Sequence, residues 1–167
     1  MATDQIQERF LELIQENAGI IHKVCHLYCH SAQDRQDLFQ EIIVQLWKAF
    51  PKFRNESKIS TWMYRIALNT AISDFRKQQR RIITTSELPA ESMELQEHNI
   101  LEQKERLALL QEAVTHLSDI EKAILMLYLE ENNYQEMEEV LGIGQANLRV
   151  KINRIKEKLR RHTGQMQ

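Results

Sequence analysis

"NNYQEMEEVLGIGQANLRVKINRIKEKLRR", Asn132–Arg161, is the stretch on which the fold reading turns. Asn133 is suited to cap a short helix, YQEMEEVL, because its side chain can accept from a free N–H of the first turn. Gly142 follows where a left-handed helix C-terminus is needed. The turn Gly142-Ile143-Gly144 then leads into a longer helix from Gln145 to about Arg161. Leu148, Ile152, Ile155 and Leu159 recur at i, i+4, i+7 and i+11, which is a core stripe. Arg149, Val150, Asn153 and Arg154 fall elsewhere, near the end that would enter a DNA major groove. A short helix, a glycine turn and a basic helix make a helix-turn-helix pattern. Arginine pairs bidentately with guanine and asparagine with adenine. A plain helical hairpin shares the same spacing, so the rest of the chain has to decide.

The chain has 167 residues, with four glycines and two prolines. So few breakers among many Leu, Ile, Glu, Gln, Lys and Arg predict an all-α protein. Its 43% hydrophobic and 28% charged residues are those of a folded chain, not a disordered one. The N-terminus, MATDQIQERF, is polar and then amphipathic, unlike a signal peptide. No apolar run approaches the ~20 residues of a membrane span, so no membrane insertion is expected. A cytoplasmic protein with two reduced cysteines is the expectation.

Net charge is −2, but its distribution is uneven. Arg76, Lys77, Arg80 and Arg81 form one basic block. Arg149, Lys151, Arg154, Lys156, Lys158, Arg160 and Arg161 form a second. Between them lies an acidic stretch, SELPAESMELQEHNILEQKE. Two basic ends around an acidic middle suggest two polyanion-binding modules and a linker. Either block alone reads as readily as a solvated helix face.

The spacing predicts helix from about Gln5 to Cys29, with a break near Asn17-Ala18-Gly19. Ser31, with Asp34 three residues on, caps a second helix that stops before Pro51. Ser57 or Ser60 caps a third, from about Ile59 to Arg80. Residues 82–103 read as a flexible acidic linker. In the second module Ser118-Asp119-Ile120-Glu121 is a capping box. The predicted architecture is a helical bundle over 1–81, the linker, and a helix-turn-helix domain over 104–167.

Ile20–His30, IIHKVCHLYCH, holds three histidines and both cysteines. A helical wheel groups Ile20, Ile21, Val24, Leu27 and Tyr28 on one face and sets His22, Cys25, His26 and Cys29 opposite, on a side expected to be part-solvated or to dock a partner. One helix supplies two ligands at i, i+4 but cannot close a tetrahedral zinc site. The cysteine spacing is also one residue too long for a haem-attachment box. No metal or cofactor is expected.

On the third helix Lys58, Trp62, Arg65, Asn69 and Arg76 share a narrow arc. Aromatics interleaved with cations suit single-stranded nucleic acid. Trp62 reads equally well as a core residue, and the neighbouring Tyr64, Leu68, Ala71 and Phe75 look sandwiched in a bundle.

Two stretches carry a resemblance. DLFQEIIVQLWKAFPKFRNESKISTWMYRIALNTAISDFRK is similar to the second conserved region of bacterial sigma-70-type initiation factors. LSDIEKAILMLYLEENNYQEMEEVLGIGQANLRVKINRIKEKLRR is similar to their fourth. A short chain with only a linker between them resembles the extracytoplasmic-function (ECF) group. The resemblance implies that Asp37, Leu38, Gln40, Glu41 and Trp47 bind core RNA polymerase at the beta-prime clamp helices, with the beta flap as a second contact. It implies that Asn55, Glu56, Ser57 and Lys58 form a loop that captures a flipped base of the promoter −10 element. Trp62, Tyr64, Arg65 and Asn69 then lie on the helix that melts and reads that element. Asn147, Arg149, Val150, Asn153 and Arg154 occupy the positions that meet the −35 element. The sequence departs from the family's common residues at Gly144, Asn147 and Val150, which bears on base preference. A sigma factor is implied, with promoter DNA and core polymerase as partners, an anti-sigma factor as a further one, and no catalytic residues. The rival readings are a stand-alone helix-turn-helix regulator with an N-terminal sensing or dimerising bundle, and a metal- or redox-responsive protein.

Overall fold

The computed structural model describes residues 2–82 and 100–164, and every element among them is helical. The chain divides into two units, Met1–Glu87 and Leu88–Gln167.

The first unit packs three helices against one another: α1 (Ala2–Tyr28), α2 (Ala32–Ala49) and α3 (Ile59–Ile82). The expected break near Asn17 does not occur. One helix spans the region, and the Asn17 amide donates to the Leu13 carbonyl one turn back at 2.9 Å. Ser31 caps α2 as expected, accepting from the Asp34 N–H at 3.0 Å. Arg35 reaches back to the His30 carbonyl at 2.7 Å, placing a cation at the C-terminal end of α1 where the helix dipole favours one. Leu38, Ile42 and Leu46 form the buried stripe of α2. Around Pro51 the backbone tightens into a short 3-10 turn, Phe50–Lys52. From there an aromatic series closes one end of the bundle. The Trp47 ring meets Phe10 at 5.0 Å, Phe10 meets Phe50 at 5.4 Å, and Trp62 lies 6.4 Å from Phe50 and 4.7 Å from Phe53. Helix α3 packs against both α1 and α2. It is therefore buried over much of its circumference, with Thr61, Trp62, Met63 and Tyr64 buried in succession.

The second unit gathers α4 (Ile100–Thr115), α5 (Asp119–Leu129) and α6 (Tyr134–Leu141) around α7 (Gln145–Gly164). The Ser118–Glu121 capping box forms in both directions, at 3.2 and 2.9 Å. Asn133 makes a second one with Glu136, at 2.8 and 2.9 Å. Gly142 ends α6 at φ 68°, in the left-handed region that glycine occupies without steric cost. Ala113, Ile124, Leu127, Met137, Leu148, Ile152 and Ile155 make the core. Helix α3 reaches Ile82 and α4 begins at Ile100, so helices occupy both ends of the expected 82–103 linker; the remainder lies outside the described residues.

Candidate nucleic-acid and polymerase interfaces

Helix α7 has two sharply different sides. Leu148, Ile152 and Ile155 are buried, while Asn147, Arg149, Val150, Asn153 and Arg154 are all exposed. All five expected −35 residues thus lie outside the core, and Val150 is 47% exposed although apolar. Two further contacts tie the start of α7 to α6. The Gln145 amide donates to Glu138 at 3.0 Å. The Arg149 guanidinium carbon lies 4.7 Å from the centre of the Tyr134 ring.

The basic run of α7 does not act as one patch. Lys156 donates to the Tyr128 hydroxyl at 2.9 Å and lies against its ring. Lys158 pairs with Glu121 at 2.5 Å, linking α7 to the capping box of α5. Burial raises the Glu121 carboxyl, but hydrogen bonds from Lys158 and Ser118, with the charge of Lys158, outweigh it and hold the group below its ordinary 4.5. These two lysines are committed inside the unit, and the periodicity of the cations alone does not reveal it.

On α3 the expected −10 residues separate. Lys58, Arg65 and Asn69 are exposed, and Arg76 extends the same stripe. Trp62 and Tyr64 are buried, at 8% and 4% exposure. For Trp62 the cause is local, because Phe50 and Phe53, from the turn and the loop after it, fold over its ring. Tyr64 faces into the bundle. A base cannot stack on the Trp62 ring as it stands, so Trp62 packs as a core residue, and Tyr64 is sandwiched in the bundle as its spacing suggests. The loop residues Asn55, Glu56 and Lys58 are exposed and Ser57 half-buried. Asn55 adopts φ 57°, the left-handed conformation that asparagine tolerates better than most side chains.

On α2, Asp37, Gln40, Glu41 and Trp47 are exposed, with Trp47 at 37%. Gln33 donates to Asp37 at 3.0 Å and Gln45 to Glu41 at 2.7 Å, which orients both carboxylates along the helix. Leu38 departs from the set. It is 1% exposed, and its part in this helix is packing. Val44, 43% exposed, lies between Glu41 and Trp47 on the outer side and was not expected there. Its signal was spacing: it sits three residues from each and outside the Leu38–Ile42–Leu46 stripe. Asp37, Glu41 and Gln45 also face Asn69, Asp74 and Lys77 of α3 across an open groove of ≈ 720 Å³. One groove thus brings together expected polymerase-binding and DNA-binding residues.

The cysteine face is also corrected. Cys25 and Cys29 are buried, at 2% and 8% exposure, beside Ile21, Val24 and Tyr28. Ile21 and Cys25 are one turn apart, so the thiols extend the apolar stripe, and cysteine behaves there as a small hydrophobe. Burial pushes the Cys25 thiol up to about 11 and the Cys29 thiol up to about 12. His22 instead stacks on Phe39 at 4.8 Å, while His26 and His30 are exposed. Among the described residues no group of three or more His, Cys, Asp or Glu is placed to hold a metal ion. None of the described helices is long and apolar enough to cross a membrane.

The model of sigma-70 region 2 matches residues 13–81. The RNA polymerase sigma-H factor of Pseudomonas aeruginosa is 31% identical over 151 residues, covering 81% of this chain and 78% of that protein. The ECF RNA polymerase sigma factor SigW of Bacillus subtilis is 23% identical over 175 residues, covering 93% and 89%. The fold is that of the sigma factor RpoE of Bartonella quintana, solved in complex with the anti-sigma factor NepR: TM-score 0.70, 16% identity, with 98% of this chain and 99% of that one covered. A relative above 30% identity along most of both chains, with the region 2 match, establishes that the chain belongs to the extracytoplasmic-function group of sigma-70 family RNA polymerase sigma factors.

Proposed function

We propose that this chain binds core RNA polymerase in the cytoplasm and directs it to promoters, without catalysing any step itself. The observation that carries the reading is the division of α7, where Asn147, Val150, Asn153 and Arg154 are exposed opposite a fully buried stripe. That face offers bidentate donors and one apolar contact to a major groove, as −35 recognition needs. The exposed residues of α3 and its preceding loop, Asn55, Glu56, Lys58, Arg65 and Asn69, meet the −10 element. Trp62 and Tyr64 hold that surface in place from inside. Asp37, Gln40, Glu41 and Trp47 dock on the polymerase, with Leu38 as their internal anchor. Residues 1–81 and 104–167 are the two working domains, joined through 82–103. An anti-sigma factor of the kind bound to the Bartonella relative is a natural antagonist.

The test is reconstitution of purified core polymerase with the full chain, followed by sequencing of transcript starts on genomic DNA. Starts should fall downstream of a shared two-part motif. A chain that binds duplex DNA alone yet adds no new starts to core polymerase would be a free-standing regulator instead.

A further inference from the structure

The contacts between α6 and α7 form two rungs. Tyr134 and Glu138 are one turn apart on α6, and Gln145 and Arg149 are one turn apart on α7. Glu138 holds Gln145 by a hydrogen bond, and Tyr134 holds Arg149 by its ring face. The backbone that carries the ring is defined. Tyr134 is the first residue of α6, next to Asn133, whose capping box with Glu136 sets the local backbone, and its side chain is half-buried.

A guanidinium held against an aromatic ring spends none of its five N–H donors on the contact. Its donor fork stays available to a base edge or a phosphate, while the freedom of its long side chain is reduced before DNA arrives. A carboxylate partner in the same place would do the opposite, occupying the fork. The buried stripe of α7 sets the roll of the helix, and the Glu138–Gln145 rung adds a contact one turn earlier, so that the side chain and the helix bearing it are both oriented.

We infer that Tyr134, a residue outside the recognition helix, is a positioning residue for promoter specificity, presenting Arg149 to the upstream element through a cation–π contact. The inference rests on the proposal that this end of α7 reads DNA.

The experiment uses the full chain assembled with core polymerase. Competition binding compares a duplex carrying the upstream motif found from transcript starts with one whose motif is scrambled. Tyr134→Leu should lower the preference for the motif about two- to five-fold, the range that an exposed cation–π contact supports. Tyr134→Phe should keep the preference, because the ring remains. In an Arg149→Ala background Tyr134→Leu should change nothing further. This cycle also subtracts any general loosening of the fold, which would appear in both backgrounds. Equal losses in both backgrounds, or a Phe variant that falls as far as the Leu variant, would overturn the inference. If Arg149→Ala alone leaves the preference unchanged while Arg154→Ala reduces it, Tyr134 has nothing to position and this inference alone fails. If neither arginine matters, the reading of the whole face fails with it.

Discussion

Helices α3 and α7 carry the two expected DNA-facing sets, and they keep them in different ways. Helix α7 packs against α4, α5 and α6 through the stripe of Leu148, Ile152 and Ile155, and Asn147, Arg149, Val150, Asn153 and Arg154 all stay outside. Helix α3 is wedged between α1 and α2, and its N-terminal end is roofed by Phe50 and Phe53. A residue on the outward arc of α3 can therefore still be core, as Trp62 is. Angular position on a helix settles exposure only when the partners come from one direction.

The contrast breaks most visibly at Trp62. Trp62→Ala should destabilise the first unit by about 3–5 kcal/mol, the range for deleting a buried large aromatic. Thermal unfolding of the full chain should show one transition falling while that of the second unit stays. The opposite pattern, an unchanged melting temperature with loss of promoter opening only, would return Trp62 to the DNA surface.

The same reasoning explains which parts of the structure were legible in the sequence. The caps were, because Ser31, Ser118, Asn133 and Gly142 act over three or four residues and leave a local pattern. The core stripe of α7 was, because Leu148, Ile152 and Ile155 follow a single helical period. What failed to show was whatever depends on a distant segment. Cys25 and Cys29 lie beside the Ile21–Val24 stripe, yet only the position of the bundle decides that they are inside it. The lysines of α7 look alike in sequence, and only α5 separates Lys156 and Lys158 from the rest. The Tyr134 ring under Arg149 lies 15 residues away and across a turn. No spacing rule records such a contact.

The buried thiols give the next largest effect. A thiol raised from 9.0 to about 11 carries roughly a hundred-fold less thiolate near pH 8, and burial slows its reaction further. Alkylation of Cys25 and Cys29 by iodoacetamide should therefore be at least about a hundred-fold slower in the native protein than in urea. Rapid labelling of the native chain would mean that the first unit opens readily, and would make the cysteine face accessible after all.

Arg154 tests the outer side of α7 directly. Arg154→Ala should cost about 1–3 kcal/mol against the correct upstream element and little against a scrambled one. Salt titrations of the holoenzyme on both duplexes provide the measurement. A parallel loss on both would make α7 a phosphate-binding helix, and the difference between its faces would then be one of packing only.

The smallest effect is expected at Lys158, and it sharpens the comparison within α7 itself. Taken as one more cation of a basic helix, Lys158 would bind phosphate, and Lys158→Ala would weaken all DNA while lowering the salt slope by about one. The pair with Glu121 assigns it to stability instead. A partly exposed ion pair contributes no more than about 1 kcal/mol, so the melting temperature should fall by only a few degrees and the salt slope should not move. The pH dependence gives the clearer sign. Glu121 is held below its ordinary value in the folded chain, so it binds its proton more weakly there than when unfolded. Its contribution is fully present above the ordinary carboxylate value and is lost as pH falls through the lowered one. Lys158→Ala removes the hydrogen bond and the charge that lower it, so the second unit's stability should decline less steeply as pH falls through and below the ordinary carboxylate range than in the unaltered protein. An unchanged acid limb together with a smaller salt slope would show that Lys158 leaves Glu121 for DNA, and would extend the recognition surface to the C-terminal half of α7.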